Sequence, residues 1–270
     1  MSKAASLNDP SLNGLTALSE LTQVAEHFSR ASHYRQHNVL QRLTAAELIQ
    51  RAAEVKVAPA GRLLDLGAGP GTAFNSDPVS EVLTLDIAFG MCARLKQEFP
   101  DYHALCADAC ALPLRTASID SLYSNLALQW CEPLPQAVSE MARVLRPGGH
   151  ALLAMVCDGS LPQLERLGFA VNHFATASAM AAAFDPTQWQ IQHCEAVTHS
   201  LHFANLQSLL YSIKGVGANA QYRADGGARL RGRGDWQAKQ AEAEALRTNA
   251  GLPLSYRILY LIARRREEQA

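Results

Sequence analysis

The sequence predicts an α/β fold with a mostly parallel sheet and helices on both faces. Residues 61 to 157 alternate short apolar runs with segments of helical periodicity, the pattern of βαβ units. Three of these runs end in acids, at Asp65, Asp86 and Asp108. The first acid opens into Gly67-Ala68-Gly69-Pro70-Gly71, a turn whose backbone must pass close to something. In open α/β sheets such strand-to-loop edges hold nucleotide-like ligands.

Each element can be placed in order. Residues 1 to 17 are small and polar, with turn signals at Asn8-Asp9-Pro10 and Asn13-Gly14, and read as a flexible tail. A single domain then runs from 18 to 265. In its first part, 18 to 60, Leu18, Leu21, Val24, Ala25, Phe28, Val39, Leu40, Leu43 and Leu48 recur at helical spacing. The core follows at 61 to 157. From 158 to 250 the pattern changes to helical stretches around a strand-like run at Trp189 to Phe203. A helix over Leu206 to Lys214 comes next. A loop with Gly226, Gly227, Gly232 and Gly234 separates it from a helix near Asp235 to Asn249. Residues 251 to 265 hold a final strand, most apolar from Tyr256 to Ala263.

Composition narrows the classes. A chain of 270 residues, 48% of them hydrophobic, buries a substantial core as one domain. A net charge of −1 argues against nucleic acid or an anionic membrane as the main partner. No apolar run approaches the roughly 20 residues that span a bilayer. The N-terminus lacks the basic-then-apolar pattern of a secretory signal. Six scattered cysteines without a C-x-x-C pair suggest reduced core thiols in a cytoplasmic protein, with no disulfide frame or metal site. His199 and His202 lie three apart without a thiolate or carboxylate beside them, so packing or exposure explains them better than metal binding.

The glycine order selects the ligand. A dinucleotide fingerprint needs G-x-G-x-x-G and a P-loop needs a terminal Gly-Lys-Ser/Thr; neither is present. The G-x-G-P-G form resembles motif I of the class I S-adenosylmethionine-dependent methyltransferases. The resemblance implies that Asp65, Gly67, Ala68, Gly69 and Gly71 back the methionine part of the cofactor. Asp86 lies 21 residues after Asp65, the spacing at which a neighbouring strand delivers a carboxylate to a ribose diol, with Ile87 beside it. The same Asp86 also suits an N-cap for the helix over 88 to 98. By resemblance, Asp108 reaches the adenine amine and Ala109 donates its N–H to the ring. Asn125 and Leu126 end the fourth strand, where the methyl group should sit. Arg146-Pro147-Gly148-Gly149 resembles the family's turn into its fifth strand.

Less generic segments point to one family. These are His27-Phe28-Ser29-Arg30-Ala31 through Tyr34, Leu40-Gln41-Arg42, Ser124-Asn125-Leu126-Ala127-Leu128-Gln129-Trp130-Cys131, Asp158-Gly159-Ser160-Leu161-Pro162, the run Leu209 to Ala218, and Pro253-Leu254-Ser255-Tyr256. Together they resemble the malonyl-acyl carrier protein O-methyltransferases of biotin synthesis, over nearly everything after the tail. Three places depart from that pattern: a longer tail, a shortened stretch after Pro162, and the Gly/Arg loop at 226 to 234. The resemblance implies a Rossmann-like fold with a mostly parallel seven-stranded sheet, N-terminal helices and a helical insertion forming a cap. It also implies methyl transfer from S-adenosyl-L-methionine to the free carboxylate of a malonyl thioester on acyl carrier protein. The products are S-adenosyl-L-homocysteine and a methyl ester that primes pimeloyl synthesis. Another small carboxylic acid or metabolite is the alternative acceptor.

A carboxylate is ionised at neutral pH, so such a reaction needs no general base. Candidate orienting groups are Tyr34, Gln129 and Lys214. Trp130 better suits a pocket wall. Tyr34 also reads as an interface tyrosine, and Lys214 as a cation paired with a helix dipole. An acidic carrier would meet the basic residues Lys214, Arg223, Arg229, Arg231 and Arg233, which also read as a solvated loop. The protein is expected to act as a monomer.

Overall fold

A computed structural model describes residues 38–215 and 233–267. Helix α1 (Val39–Glu54) leads into β1 (Gly61–Leu66) and β2 (Val79–Asp86). Helix α2 (Phe89–Glu98), β3 (His103–Cys106) and β4 (Ile119–Asn125) follow. A 3-10 turn (Leu128–Trp130) and α3 (Leu134–Val144) precede β5 (Leu145–Val156). Two short helices, α4 (Pro162–Arg166) and α5 (Ala177–Ala182), come before the long strand β6 (Trp189–Phe203). Helices α6 (Leu206–Gly215) and α7 (Arg233–Glu244) and strand β7 (Leu252–Arg265) complete the order.

The seven strands form one sheet in the order β3-β2-β1-β4-β5-β7-β6. The first five are parallel, and β7 runs antiparallel to both β5 and β6. The expected seven-stranded, mostly parallel sheet is therefore present. Short apolar stretches mark the buried parts of its parallel strands, such as Leu63-Leu64 in β1 and Ala151 to Val156 in β5, where both faces are covered. Alternation along each strand sends Leu64, Leu66, Leu122, Leu153 and Leu261 to one face, against Ala137, Val138 and Met141 of α3. Leu63, Tyr123, Leu152, Ala154, Ile258 and Tyr260 go to the other face, against Leu48 and Ala52 of α1. A smaller core under the cap joins Leu164, Leu206, Leu209, Ile213 and Ala243 to Leu252 and Leu254 at the start of β7.

The final strand begins four residues before the apolar stretch that predicts it, because Pro253 and Ser255 interrupt the apolar pattern without breaking pairing with β6. The helix expected to Asn249 ends at Glu244, and Thr248 to Gly251 turns the chain into β7. All six cysteines are free thiols, but Cys106 and Cys194 are exposed. Both lie on the two strands that border the sheet, so the core reading holds for Cys92 and Cys157 alone among the fully buried ones. Among the described residues no helix is long and apolar enough to cross a membrane, and no group of three His, Cys, Asp or Glu is placed to hold a metal ion.

Candidate active site

Strand order reverses between β1 and β4, so a crevice opens above their carboxyl ends. Two loops line it. The loop after β1 holds Gly67, Gly69 and Gly71 at φ 71°, 53° and 98°, all in the left-handed region. A Cβ on Gly67 would lie 2.1 Å from the Cβ of Ala127, in the loop after β4. The Gly67 backbone thus packs against the Ala127 methyl, and glycine is required by that contact. Ser124 fastens the strands below, its hydroxyl donating to the Leu66 carbonyl at 2.7 Å.

The acids expected at the strand ends stand around this crevice. Asp65 is almost completely buried. Burial, and then the charge of Asp86, raise its pKa from 3.8 to about 8, against a backbone hydrogen bond from Thr72. Its Oδ2 is buried without a hydrogen-bond partner among the described residues. Asp86 accepts from the Gly69 N–H and the Ala88 N–H, each at 2.8 Å. Burial raises its pKa, and those two donors oppose the rise. Asp86 thus braces the glycine loop, which its sequence position did not suggest, and holds the N–H of Ala88, the residue that caps α2 without a side-chain bond of its own. Ile87 follows it. Asp108 and Ala109 stand after β3, where Asp108 accepts from the Cys110 N–H at 2.8 Å.

Beyond β4, Leu126 adopts a left-handed φ of 56° and donates its N–H to the Ala154 carbonyl at 2.8 Å. The Gln129 carboxamide closes this turn, donating to the Leu126 carbonyl at 2.6 Å, with its own Oε1 buried and without a partner among the described residues. Trp130 packs edge-on against Phe174, centroids 5.9 Å apart. Phe174 is held by its neighbour Ala175, whose carbonyl accepts from the Asp158 N–H at 3.0 Å.

Asn125 has a role that the sequence did not reveal. Its Oδ1 accepts from the Thr44 hydroxyl at 2.8 Å, and its amide donates to the Gln41 carbonyl at 2.9 Å. Both partners lie on α1, which is thereby tied to the mouth of the crevice. Lower on α1, Arg51 pairs with Glu195 at 3.1 Å and lies 4.6 Å over the Tyr260 ring. Glu47 faces His199 at 3.3 Å, and His199 bonds the Tyr260 hydroxyl at 2.9 Å. These polar groups clamp α1 to β6 and β7, which accounts for His199 without a metal. Burial, helped by Arg51 and opposed by Glu47, lowers the His199 pKa.

Of the other expected site residues, Tyr34, Arg223, Arg229 and Arg231 lie outside the described residues. Lys214 falls in the last turn of α6 and Arg233 opens α7; their side chains are likewise outside the described part.

Comparison with known proteins agrees with this geometry. Residues 64–153 match the family model described as "Methyltransferase domain". The malonyl-[acyl-carrier protein] O-methyltransferase of Enterobacter lignolyticus is 37% identical over 204 residues, covering 72% of this chain and 79% of that protein. The protein of the same name from a Marinomonas species is 30% identical over 267 residues, covering 93% of this chain and 96% of its own. Among solved structures, the YcgJ protein from Bacillus subtilis superposes with a TM-score of 0.55 at 21% identity, over 83% of this chain and all of that one, which speaks for the fold. With its seven-stranded sheet, its glycine loop and relatives matched along most of their length, the chain belongs to the malonyl-[acyl-carrier protein] O-methyltransferase family and is a methyltransferase enzyme.

Proposed function

We propose that the protein transfers a methyl group from S-adenosyl-L-methionine to the free carboxylate of a malonyl thioester on acyl carrier protein, giving the methyl ester that primes pimeloyl synthesis for biotin. The observation that carries the cofactor is Asp65. A buried carboxylate oxygen without a partner calls for a cationic donor, and this cofactor has an ammonium group and a sulfonium. Asp65 and the loop Gly67 to Gly71 would hold its methionine part, Asp86 and Ile87 its ribose, and Asp108 and Ala109 its adenine. Bound there, it supplies an electrophilic methyl on positively charged sulfur. Asn125 and Leu126 border the place where that methyl is presented.

The protein's own residues then have two tasks. The first is position. Bringing a carboxylate oxygen to about 3–3.5 Å from the methyl, on the line opposite sulfur, is worth roughly 7–11 kcal/mol. Gln129 serves here by fixing the Leu126 turn, and Tyr34 and Lys214 are further candidates for holding the acceptor. The second task is exclusion of water, since a solvated carboxylate is a poor nucleophile. Leu126, Trp130 and Phe174 supply the apolar wall. The acceptor carboxylate is already deprotonated at neutral pH, so the transfer asks for no general base.

The carrier is recognised by charge. Lys214, Arg223, Arg229, Arg231 and Arg233 form a basic stretch in a chain of net charge −1, and rim charges mainly govern encounter with an oppositely charged partner. Reversing Arg231 and Arg233 together raises the KM for the carrier-bound substrate by about tenfold or more, while cofactor affinity measured by calorimetry stays at the wild-type value. Unchanged kinetics on the carrier substrate would remove this docking role. Initial rates on malonyl-carrier protein, malonyl-coenzyme A and free malonate test the acceptor. The carrier substrate should be turned over fastest, and preference for a free acid would point to the alternative acceptor class.

A further inference from the structure

The β7 strand places two tyrosines on the same face of the sheet, four residues apart, with opposite fates. Tyr260 is fully buried and its hydroxyl is bonded to His199. Tyr256 stands nearer the carboxyl end of β5, opposite His199 in the β6 ladder. No hydrogen-bond partner of its hydroxyl occurs among the described residues, although Tyr260 and Tyr102 each have one. Burial alone pushes its phenol pKa well up, with no charge or hydrogen bond contributing. Yet its side chain keeps part of its surface accessible. Its ring is packed within the protein while part of the residue still reaches solvent.

Its neighbours set its place in the fold. Tyr256 and Phe174 both pack against the α1-side core and also against the core beneath the cap. They therefore stand at the seam between the two. Phe174 in turn touches Trp130, beyond the Leu126 turn. The seam thus runs from the end of β4 to the start of β7, alongside the wall already described.

We propose that the Tyr256 hydroxyl donates a hydrogen bond to one carboxylate oxygen of the acceptor, leaving the other oxygen free to take the methyl. The inference rests on the malonyl carboxylate as acceptor. A hydroxyl with no protein partner among the described residues is free to donate to a ligand, and a carboxylate is a strong acceptor. A phenol that keeps its proton remains a neutral donor. It orients the carboxylate without the ion pairing that would quench its nucleophilicity.

Tyr256→Phe removes only the hydroxyl. Because the acceptor's charge is neutralised as the methyl arrives, the bond is strongest in the ground state. The variant should raise the KM for malonyl-carrier protein about tenfold to a hundredfold, the worth of a hydrogen bond to a charged group, and change kcat about threefold or less. Affinity for S-adenosyl-L-homocysteine should stay at the wild-type value. Its thermal midpoint should equal or exceed that of the wild type, since no protein partner loses a bond. A wild-type KM in the variant, or a lowered thermal midpoint, overturns the role while leaving the methyltransferase reading intact. A wild-type protein inactive on malonyl-carrier protein removes the acceptor reading, and this inference with it.

Discussion

The half of the crevice proposed for the cofactor and the half proposed for the acceptor are built from different materials. The cofactor half, above β1 to β3, is made of backbone: glycine turns, strand-end N–H groups and three acids fixed by strand geometry. The acceptor half, above β4, β5 and β7, is made of side chains brought together from distant segments: Thr44 with Asn125, Trp130 with Phe174, and Tyr256 at the seam. A backbone-built site leaves its trace in a few adjacent residues. A side-chain-built site leaves none until the chain is folded. The first is also brittle to small insertions of volume, whereas the second yields residue by residue.

The sharpest way to break the comparison is Gly67→Ala. The added Cβ meets Ala127 at 2.1 Å on a residue with φ of 71°. A left-handed non-glycine residue costs about 1–2 kcal/mol and overpacking about 1–3 kcal/mol more. A loop displaced by about 1 Å costs on the order of 100-fold in productive positioning. Calorimetry should show cofactor affinity lost and thermal melting a lower midpoint. Retention of both would mean that the loops do not meet as described.

Asp65→Asn comes next. Removing the charge should weaken cofactor binding about tenfold to a hundredfold. The ligand-free protein should respond the other way. A carboxyl whose pKa rises from 3.8 to about 8 on folding binds more protons folded than unfolded between those values. Stability of the ligand-free wild type therefore falls as pH rises from about 4 to 8. The asparagine variant loses that slope and gains stability relative to wild type at pH 8. Parallel melting curves for the two proteins from pH 5 to 8 would contradict the buried, ionisable Asp65.

Thr44→Val probes the acceptor half and carries the smallest effect. It leaves the Asn125 oxygen unpaired, at a cost of about 1–3 kcal/mol. It should lower the thermal midpoint and raise the KM for the carrier substrate. Thr44→Ser should restore both, because the hydroxyl rather than the methyl makes the bond. Equal behaviour of the valine and serine variants would show that α1 is not anchored through Asn125.

The same division explains what the chain made legible. Strands β1, β2 and β5 were readable because burial on both faces favours apolar stretches such as Leu63-Leu64, Val82-Leu83 and Ala151 to Val156, and the acids Asp65 and Asp86 were readable because they end such stretches. Gly67 was readable as a close approach, although the approaching group in the structure is Ala127. Asn125 was placed correctly at the end of β4, but its partners lie more than eighty positions away on α1, and no local pattern encodes such a pairing. Nor does local sequence separate Tyr256 from Tyr260, which share a face and an apolar strand. Their burial and the bond between Tyr260 and His199 distinguish them only in the folded chain.

The central claim is that the crevice presents a sulfonium methyl to a malonyl carboxylate. Incubating the purified protein with methyl-labelled S-adenosyl-L-methionine and malonyl-carrier protein, then weighing the released acyl arm, measures it directly. The account predicts one labelled methyl on the arm, removed by mild ester hydrolysis. An unlabelled arm, in protein that also fails to bind S-adenosyl-L-homocysteine, would contradict it.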